Sequence, residues 1–289
     1  MNSVEDLLGI LILEEVKTNQ FKGISRAVGS PNVFGGQVLA QALNAAYRTI
    51  VNQRVLHSMH AYFLEAGDLN LPITYEVGDI RNGGSFSTRR VTAKQGETII
   101  FILAASFHKK EDGHEHQFKM KKDIKQPEEL LSWTEILAQF GDILPNKMKE
   151  FLQIDRPIDF KPTKIVNPLD KISLPPYADI WFKLKGASLK LDLATKQQIL
   201  TYISDYNILS AALNPHANTA NYGNTQVASL DHSMWFFRDF DFNDWMLFSF
   251  ESPSTFGARG FTRGDIFSRD GALVASVAQE GLMRPMKKR

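Results

Sequence analysis

The chain has 289 residues, enough for two domains of ordinary size that each bury a sizeable core. Its 33 Lys and Arg nearly cancel its 32 Asp and Glu, so no global field recruits nucleic acid or anionic lipid, and any anion site must be local. The absence of cysteine removes disulfides, thiolate nucleophiles and thiolate metal ligands together.

The first residues, Met1 to Asp6, are acidic where a secretory signal is basic, and Glu14 and Glu15 interrupt the apolar stretch that follows. A cytoplasmic protein is the expectation. Gly35-Gly36 opens a segment in which Leu39, Leu43, Ala46 and Ile50 recur at helical spacing, with alanines between them that let the helix lie close to a neighbour. The pattern then becomes strand-like. Ile73, Tyr75 and Val77 alternate, Gly83-Gly84 turns, and Phe86 to Ala93 leads through Gln95-Gly96 into an apolar run ending at Phe107. The core of that run, Ile99 to Ala105, is far short of the ~20 residues a membrane-spanning helix needs, so it reads as a buried strand and no stable membrane insertion is expected. Lys109 to Glu129 is a charged, solvated connection, followed by a short helix over Pro127 to Phe140.

The second part repeats the first. Asp192 caps a helix carrying Ile199, Ile203, Tyr206 and Leu213, which Asn214-Pro215 stops. Strands follow from Trp245 to Glu251 and from Arg259 to Phe267, and Asp270-Gly271, a dipeptide favoured in type I′ hairpins, leads into Leu273 to Gly281. His57-Ser58-Met59 and His232-Ser233-Met234 stand 175 apart (232 − 57), as do Phe86 and Phe261 (261 − 86) and Gly96 and Gly271 (271 − 96). A constant offset predicts a duplicated unit with no insertion in its hairpin, and a site between like elements. The expected division is a first domain over 1–120, a connecting segment over 121–150, and a second domain over 151–289. The pattern gives an α+β fold class, one helix followed by a long antiparallel meander, made twice.

Several residues are candidates for chemistry. Asp205, at the margin of its helix's apolar arc, can face a cleft or be a solvated aspartate paired with a basic group. Gln279 continues the face of Leu273, Ala275 and Val277, so an amide stands where an apolar residue would continue the pattern. Buried, it must be hydrogen-bonded, either as a functional group or as a tie at the strand end. Ser229, Asp231 and His232 invite a hydrolase-triad reading, but strand neighbours point to opposite faces and no Gly-x-Ser-x-Gly elbow surrounds the serine. His57 and His232 occupy equivalent places in the repeats, which favours a shared structural role, with one of them as a general base the alternative. His108, His114 and His116 beside Glu115 lie in the charged connection and read as a surface loop rather than a metal site. The N–H groups at Gly35-Gly36 can stabilise a developing oxyanion, or the pair can be a tight helix entry.

Six runs taken together, Phe34-Gly35-Gly36-Gln37, His57-Ser58-Met59-His60-Ala61-Tyr62-Phe63, Gly84-Ser85-Phe86-Ser87-Thr88-Arg89-Arg90-Val91, Ser204-Asp205-Tyr206-Asn207, Asp231-His232-Ser233-Met234-Trp235-Phe236 and Ala258-Arg259-Gly260-Phe261, resemble the acyl-CoA thioesterase II (TesB-type) family in their expected order. The resemblance spans nearly the whole chain. It implies a double hotdog enzyme that hydrolyses fatty acyl-CoA to free fatty acid and CoA, with neither cofactor nor metal. It also implies that Asp205, Ser229 and Gln279 hold and activate a water, serine standing where threonine is common in the family. Applying the offset of 175 to Ser229 and Gln279 lands on Arg54 and Ala104, so the first half is expected to lack a complete set.

Two rivals use the same features. A hotdog enoyl-CoA hydratase or dehydratase would employ a histidine with an acidic partner, and a non-catalytic acyl-CoA binding module would keep the fold without turnover. The expected partner is the acyl-CoA substrate, with no nucleic acid, and self-association into a homodimer or homotetramer.

Overall fold

A computed structural model describes residues 2–51, 53–165, 172–186 and 190–286. The chain starts with α1 (Val4–Ile10), β1 (Glu14–Lys17) and β2 (Gln20–Gly23), then α2 (Gly35–Tyr47) and the strands β3 (Val55–Phe63), β4 (Ile73–Asn82), β5 (Phe86–Gln95) and β6 (Thr98–His108). After the connection come α3 (Trp133–Phe140), α4 (Asn146–Gln153), β7 (Ile158–Pro162), β8 (Tyr177–Leu184), α5 (Leu193–Ser204) and α6 (Ser210–Leu213). The chain finishes with β9 (Thr225–Ser229), β10 (Asp231–Phe236), β11 (Met246–Phe256), β12 (Arg259–Ser268) and β13 (Leu273–Pro285).

All these strands join one antiparallel sheet, ordered β1-β2-β4-β5-β6-β3-β10-β13-β12-β11-β8-β7, with β9 also on β13. The order reads as a palindrome about the β3–β10 seam, where Met59 lies opposite Met234. These residues are themselves 175 apart (234 − 59), so the seam is where the two repeats meet as equals. This is the double hotdog α+β fold.

The central helices are buried because they have little polar face to expose. In α2, residues from Gly36 to Ala46 are buried apart from Asn44, and Ala40, Ala42, Ala45 and Ala46 leave room for close packing. It lies antiparallel to α5. Asn44 donates to Gln198 at one end (3.0 Å), while Gly36 approaches the Tyr202 carbonyl at the other. Asp192 caps α5 as expected, accepting from the Thr195 N–H at 2.7 Å.

Four expectations need correction. The helix after Asp192 does not run on to Leu213: α5 ends at Ser204, Asp205 is its C-cap, and Asn207 turns the chain with φ 63° before α6 begins. Asp205 therefore does not stand at the margin of a helix's apolar arc. The helix over Pro127 to Phe140 is two pieces, a single 3-10 turn at Pro127–Glu129 and α3, because Ser132 starts a new helix with its own capping box to Glu135.

The remaining two corrections concern the second hairpin. Asp270-Gly271 is not a two-residue type I′ turn. Ser268 pairs across a three-residue loop with Ala272, and in that loop only Gly271 has positive φ (91°). Nor is the hairpin free of length change: Met59 pairs with Ala105 on β6 but Met234 pairs with Val277 on β13, an offset of 172 (277 − 105). The β12–β13 hairpin is three residues shorter than β5–β6 (175 − 172), so the shared spacing of Gly96 and Gly271 does not reflect equivalent positions. The residue equivalent to Gln279 is then Phe107 (279 − 172), not Ala104. Arg54 keeps its equivalence to Ser229.

Candidate active site

The break after α5 makes Asp205 the C-cap of the helix rather than a residue on its face. Asp205 sits at the helix end, and on the same stretch Tyr202 and Tyr206 place their hydroxyls 2.9 Å apart and pack their rings on Phe34. The segment that follows is drawn onto β13 by a close contact. A side chain at Gly281 would come within 2.3 Å of Leu209 Cδ1, so the glycine lets the turn descend onto the strand. Gly281 also pairs with Ser229, and Gln279 lies on the same face two residues earlier.

The three residues meet in a closed triangle. The Ser229 hydroxyl donates to Asp205 Oδ1 at 3.2 Å, and Gln279 Nε2 donates to the same oxygen at 3.1 Å and to Ser229 Oγ at 2.8 Å. Gln279 is 1% exposed, so an unpaired amide there would be costly, by about 1–3 kcal/mol. Its hydrogen bonds remove that penalty and aim its N–H groups at the carboxylate.

The electrostatics of Asp205 follow from this packing. Burial pushes its pKa up to about 6, against the lowering effect of Gln279, Ser229 and the Gly36 backbone N–H. The start of α2 is thus an electropositive end aimed at Asp205, which sequence reasoning missed. It also revises the role expected for Gly35-Gly36, since the Gly36 N–H serves the carboxylate and leaves Gly35 as the oxyanion candidate of the pair. A side chain on Gly35 would stand 2.7 Å from Asp205 Oδ2.

The two histidines do not share a role. His232 is fully buried, with Nδ1 against Gln279 Oε1 and Nε2 2.9 Å from Ser204 Oγ. His57 lies half-buried on the opposite face, with Nε2 2.8 Å from Ser106 Oγ and its ring against Phe86 and His108. The physical reason is a bulge at this point. Leu56 pairs with Phe107 and Ser58 with Ser106, so His57 is the extra residue and its face is decided locally.

The Ser229, Asp231, His232 triad is not assembled. Asp231 accepts from the Glu280 N–H at 2.7 Å, while Ser229 and His232 bond to other partners. His114 and His116 are exposed in the connection, and His108 pairs with Glu111 at 2.8 Å. Among the described residues the first half shows no second triangle: Arg48 is the C-cap of α2 as Asp205 is of α5, Arg54 binds Ser87 and the carbonyls of Gly83 and Gly84, and Phe107 is an apolar core residue. A cavity of about 580 Å³ lies between Phe118–Lys121 and the sheet, bordered by Trp235, Arg263 and Ala278, and none of the three site side chains lines it.

Residues 148–282 match the family described as acyl-CoA thioesterase, and residues 25–108 match the acyl-CoA thioesterase N-terminal domain. The chain is 40% identical over 281 residues to acyl-CoA thioesterase 2 of Haemophilus influenzae, covering 97% of this chain and 98% of that one. The chain belongs to the acyl-CoA thioesterase II family. Human acyl-coenzyme A thioesterase 8 is 36% identical, with 95% of this chain and 88% of that protein covered. Among solved structures, acyl-CoA thioesterase II TesB2 from Mycobacterium marinum superposes with TM-score 0.77 at 35% identity, over 96% of this chain and 97% of that chain. The dehydratase domain of PpsC from Mycobacterium tuberculosis, in complex with C12:1-CoA, superposes with TM-score 0.54 at 11% identity, over 95% of this chain and 98% of that one, a likeness of fold alone.

Proposed function

We propose that this thioesterase hydrolyses fatty acyl-CoA to free fatty acid and CoA by direct attack of a water held against Asp205, Ser229 and Gln279. The observation that carries the reading is the triangle in which Ser229 and Gln279 both donate to Asp205 Oδ1. Oδ1 takes both of those bonds, and Oδ2, beside Gly35, is the oxygen that accepts a proton from the water. As it does so, the water oxygen bonds to the thioester carbonyl carbon and negative charge passes to the carbonyl oxygen. The C–S bond then breaks, the sulfur leaves as thiolate, and the proton held by Asp205 passes to it. No covalent enzyme intermediate forms. Ser229 and Gln279 orient the reacting groups, and N–H groups near the start of α2 face the developing oxyanion.

The hydratase rival requires a histidine free to address the acyl chain. Both ring nitrogens of His232 already face Gln279 and Ser204, which favours the hydrolase reading. Free-thiol release from acyl-CoA, measured beside the loss of enoyl absorbance, separates the two. Acyl-CoA binding with no thiol release would favour the non-catalytic rival.

The same reading divides the chain into a first hotdog domain (1–120), a connecting segment (121–150) and a second hotdog domain (151–289) carrying the single catalytic set. The two matched stretches, 25–108 and 148–282, support that order. Among the described residues no helix is long and apolar enough to cross a membrane. A cytoplasmic location and assembly as a homodimer or homotetramer complete the proposal, and size-exclusion chromatography with light scattering tests the assembly.

A further inference from the structure

We propose that His232 is a positioning residue that sets which end of the Gln279 amide faces Asp205 and Ser229. This rests on the reading of Gln279 as a site residue. The two ends of an amide have nearly the same shape, so packing alone does not choose between them. Charge does choose, because Oε1 turned toward Asp205 would oppose a carboxylate and forfeit both bonds that Nε2 now donates. The other end of the amide must then be satisfied as an acceptor. Its partner there is His232 Nδ1.

Burial holds the His232 pKa down to about 4, so near neutrality the ring carries one proton and must place it on one nitrogen. A proton on Nδ1 donates to Oε1 and locks the amide with its N–H groups toward Asp205. A proton on Nε2 would turn the Nδ1 lone pair toward Oε1 and favour the reversed amide. The Nε2 side can accommodate the first arrangement, because Ser204 Oγ is a hydroxyl at 2.9 Å able to donate to it. That hydroxyl donates to the Thr201 carbonyl at 2.9 Å and has one proton to give, so the Nδ1 tautomer requires it to turn from that carbonyl to the ring.

The ring also links the two elements that must stay in register. Ser204 is the last residue of α5, directly before Asp205, while Gln279 stands on β13. The first repeat offers a natural contrast. Phe107 replaces the amide there, and His57 turns to the opposite face, so a buried histidine occurs where there is an amide to orient.

The test pairs a spectroscopic reading with kinetics. Long-range ¹H–¹⁵N spectra of ¹⁵N-histidine-labelled wild-type protein, with His232 assigned by comparison with His232→Asn, should show one neutral tautomer protonated at Nδ1. A proton on Nε2 overturns the proposal, whatever the variants do. In turnover, His232→Leu should lower kcat by roughly 10–100-fold with little change in KM, since it loosens a group that acts on the reacting water. His232→Asn, whose amide N–H can stand in for Nδ1–H, should recover most of that loss. On a Gln279→Ala background the Leu change should cost less than about 2-fold further, because its target is gone. Equal losses from Leu and Asn, or losses that multiply with Gln279→Ala, would sink the proposal. Gln279→Ala at the wild-type rate would instead strike at the water-holding site, leaving the tautomer to decide the histidine's role.

Discussion

Replacing Asp205 with asparagine should weaken catalysis and strengthen the fold at once. The amide oxygen can still accept from Ser229 and Gln279 in place of Oδ1, but the group can no longer take a proton from water, so turnover should fall by roughly 10²–10⁴-fold. The stability effect follows from the pKa. The folded protein raises Asp205 from 3.8 to about 6, so between those values the native state binds more protons than the unfolded one. Stability from this group is therefore fully present below about pH 4, is lost as pH rises through about 6, and stays lost above. The shift of about 2.2 units (6 − 3.8), at about 1.4 kcal/mol per unit, sets an upper figure of ~3 kcal/mol. Partial exposure of the residue reduces this to ~1–3 kcal/mol. Asp205→Asn should thus raise Tm by a few degrees at pH 8 and lose that advantage near pH 4. Thiol-release kinetics and thermal unfolding at both pH values measure the two effects. Near wild-type hydrolysis would refute the general-base assignment. A Tm that falls or stays constant at pH 8 would refute the claim that the carboxylate is held ionised at a cost.

Wild-type kcat/KM should decline about tenfold per pH unit below about pH 6, as Asp205 becomes protonated; a flat profile down to pH 5 would count against it. Ser229→Thr should stay active because the hydroxyl remains, whereas Ser229→Ala should lose activity, and a trapped acyl group on Ser229 would overturn direct attack by water. Gly35→Ala would place a Cβ 2.7 Å from Asp205 Oδ2 and should cut kcat by roughly 10–100-fold in a folded protein; an unchanged rate would show that Oδ2 is not the reacting oxygen. Calorimetry of Asp205→Asn with CoA and with long-chain acyl-CoA should show a gain from the acyl chain and a salt-sensitive contribution from the phosphates, and no gain would eliminate an acyl-binding tunnel.

Local pattern carried much of this protein. The alternation from Ile73 to Val77, the apolar run through Ile99 to Ala105 and the Asp192 cap all became the elements they suggested, because strand faces and helix caps depend on residues close in sequence. The repeat was legible too, and the β3–β10 seam keeps its offset of 175. Ordered motifs, through family resemblance, singled out Asp205, Ser229 and Gln279, although periodicity left each of them ambiguous. The strands nearest the two edges of the sheet, β1 and β2 at one and β8 and β7 at the other, carried too little pattern to be recognised.

Tertiary structure decided the rest, for reasons that spacing cannot encode. Helical periodicity ran past Ser204 because Tyr206 and Leu213 are apolar, yet the chain turns there: Asn207 takes positive φ and Leu209 drops onto Gly281, a contact between segments far apart in sequence. The three-residue shortening of the β12–β13 hairpin is visible only in strand pairing, and it changes the counterpart of Gln279 from Ala104 to Phe107. Two histidines in equivalent sequence places face opposite sides of the sheet, His57 as the extra residue of the bulge in β3 and His232 paired with Ala61 on β10. The sequence by itself therefore determined which side chains were available and the repeated plan that carries them. Long-range pairing determined their faces and partners, because a shift of one residue at a bulge or turn reverses which side of a strand meets the core.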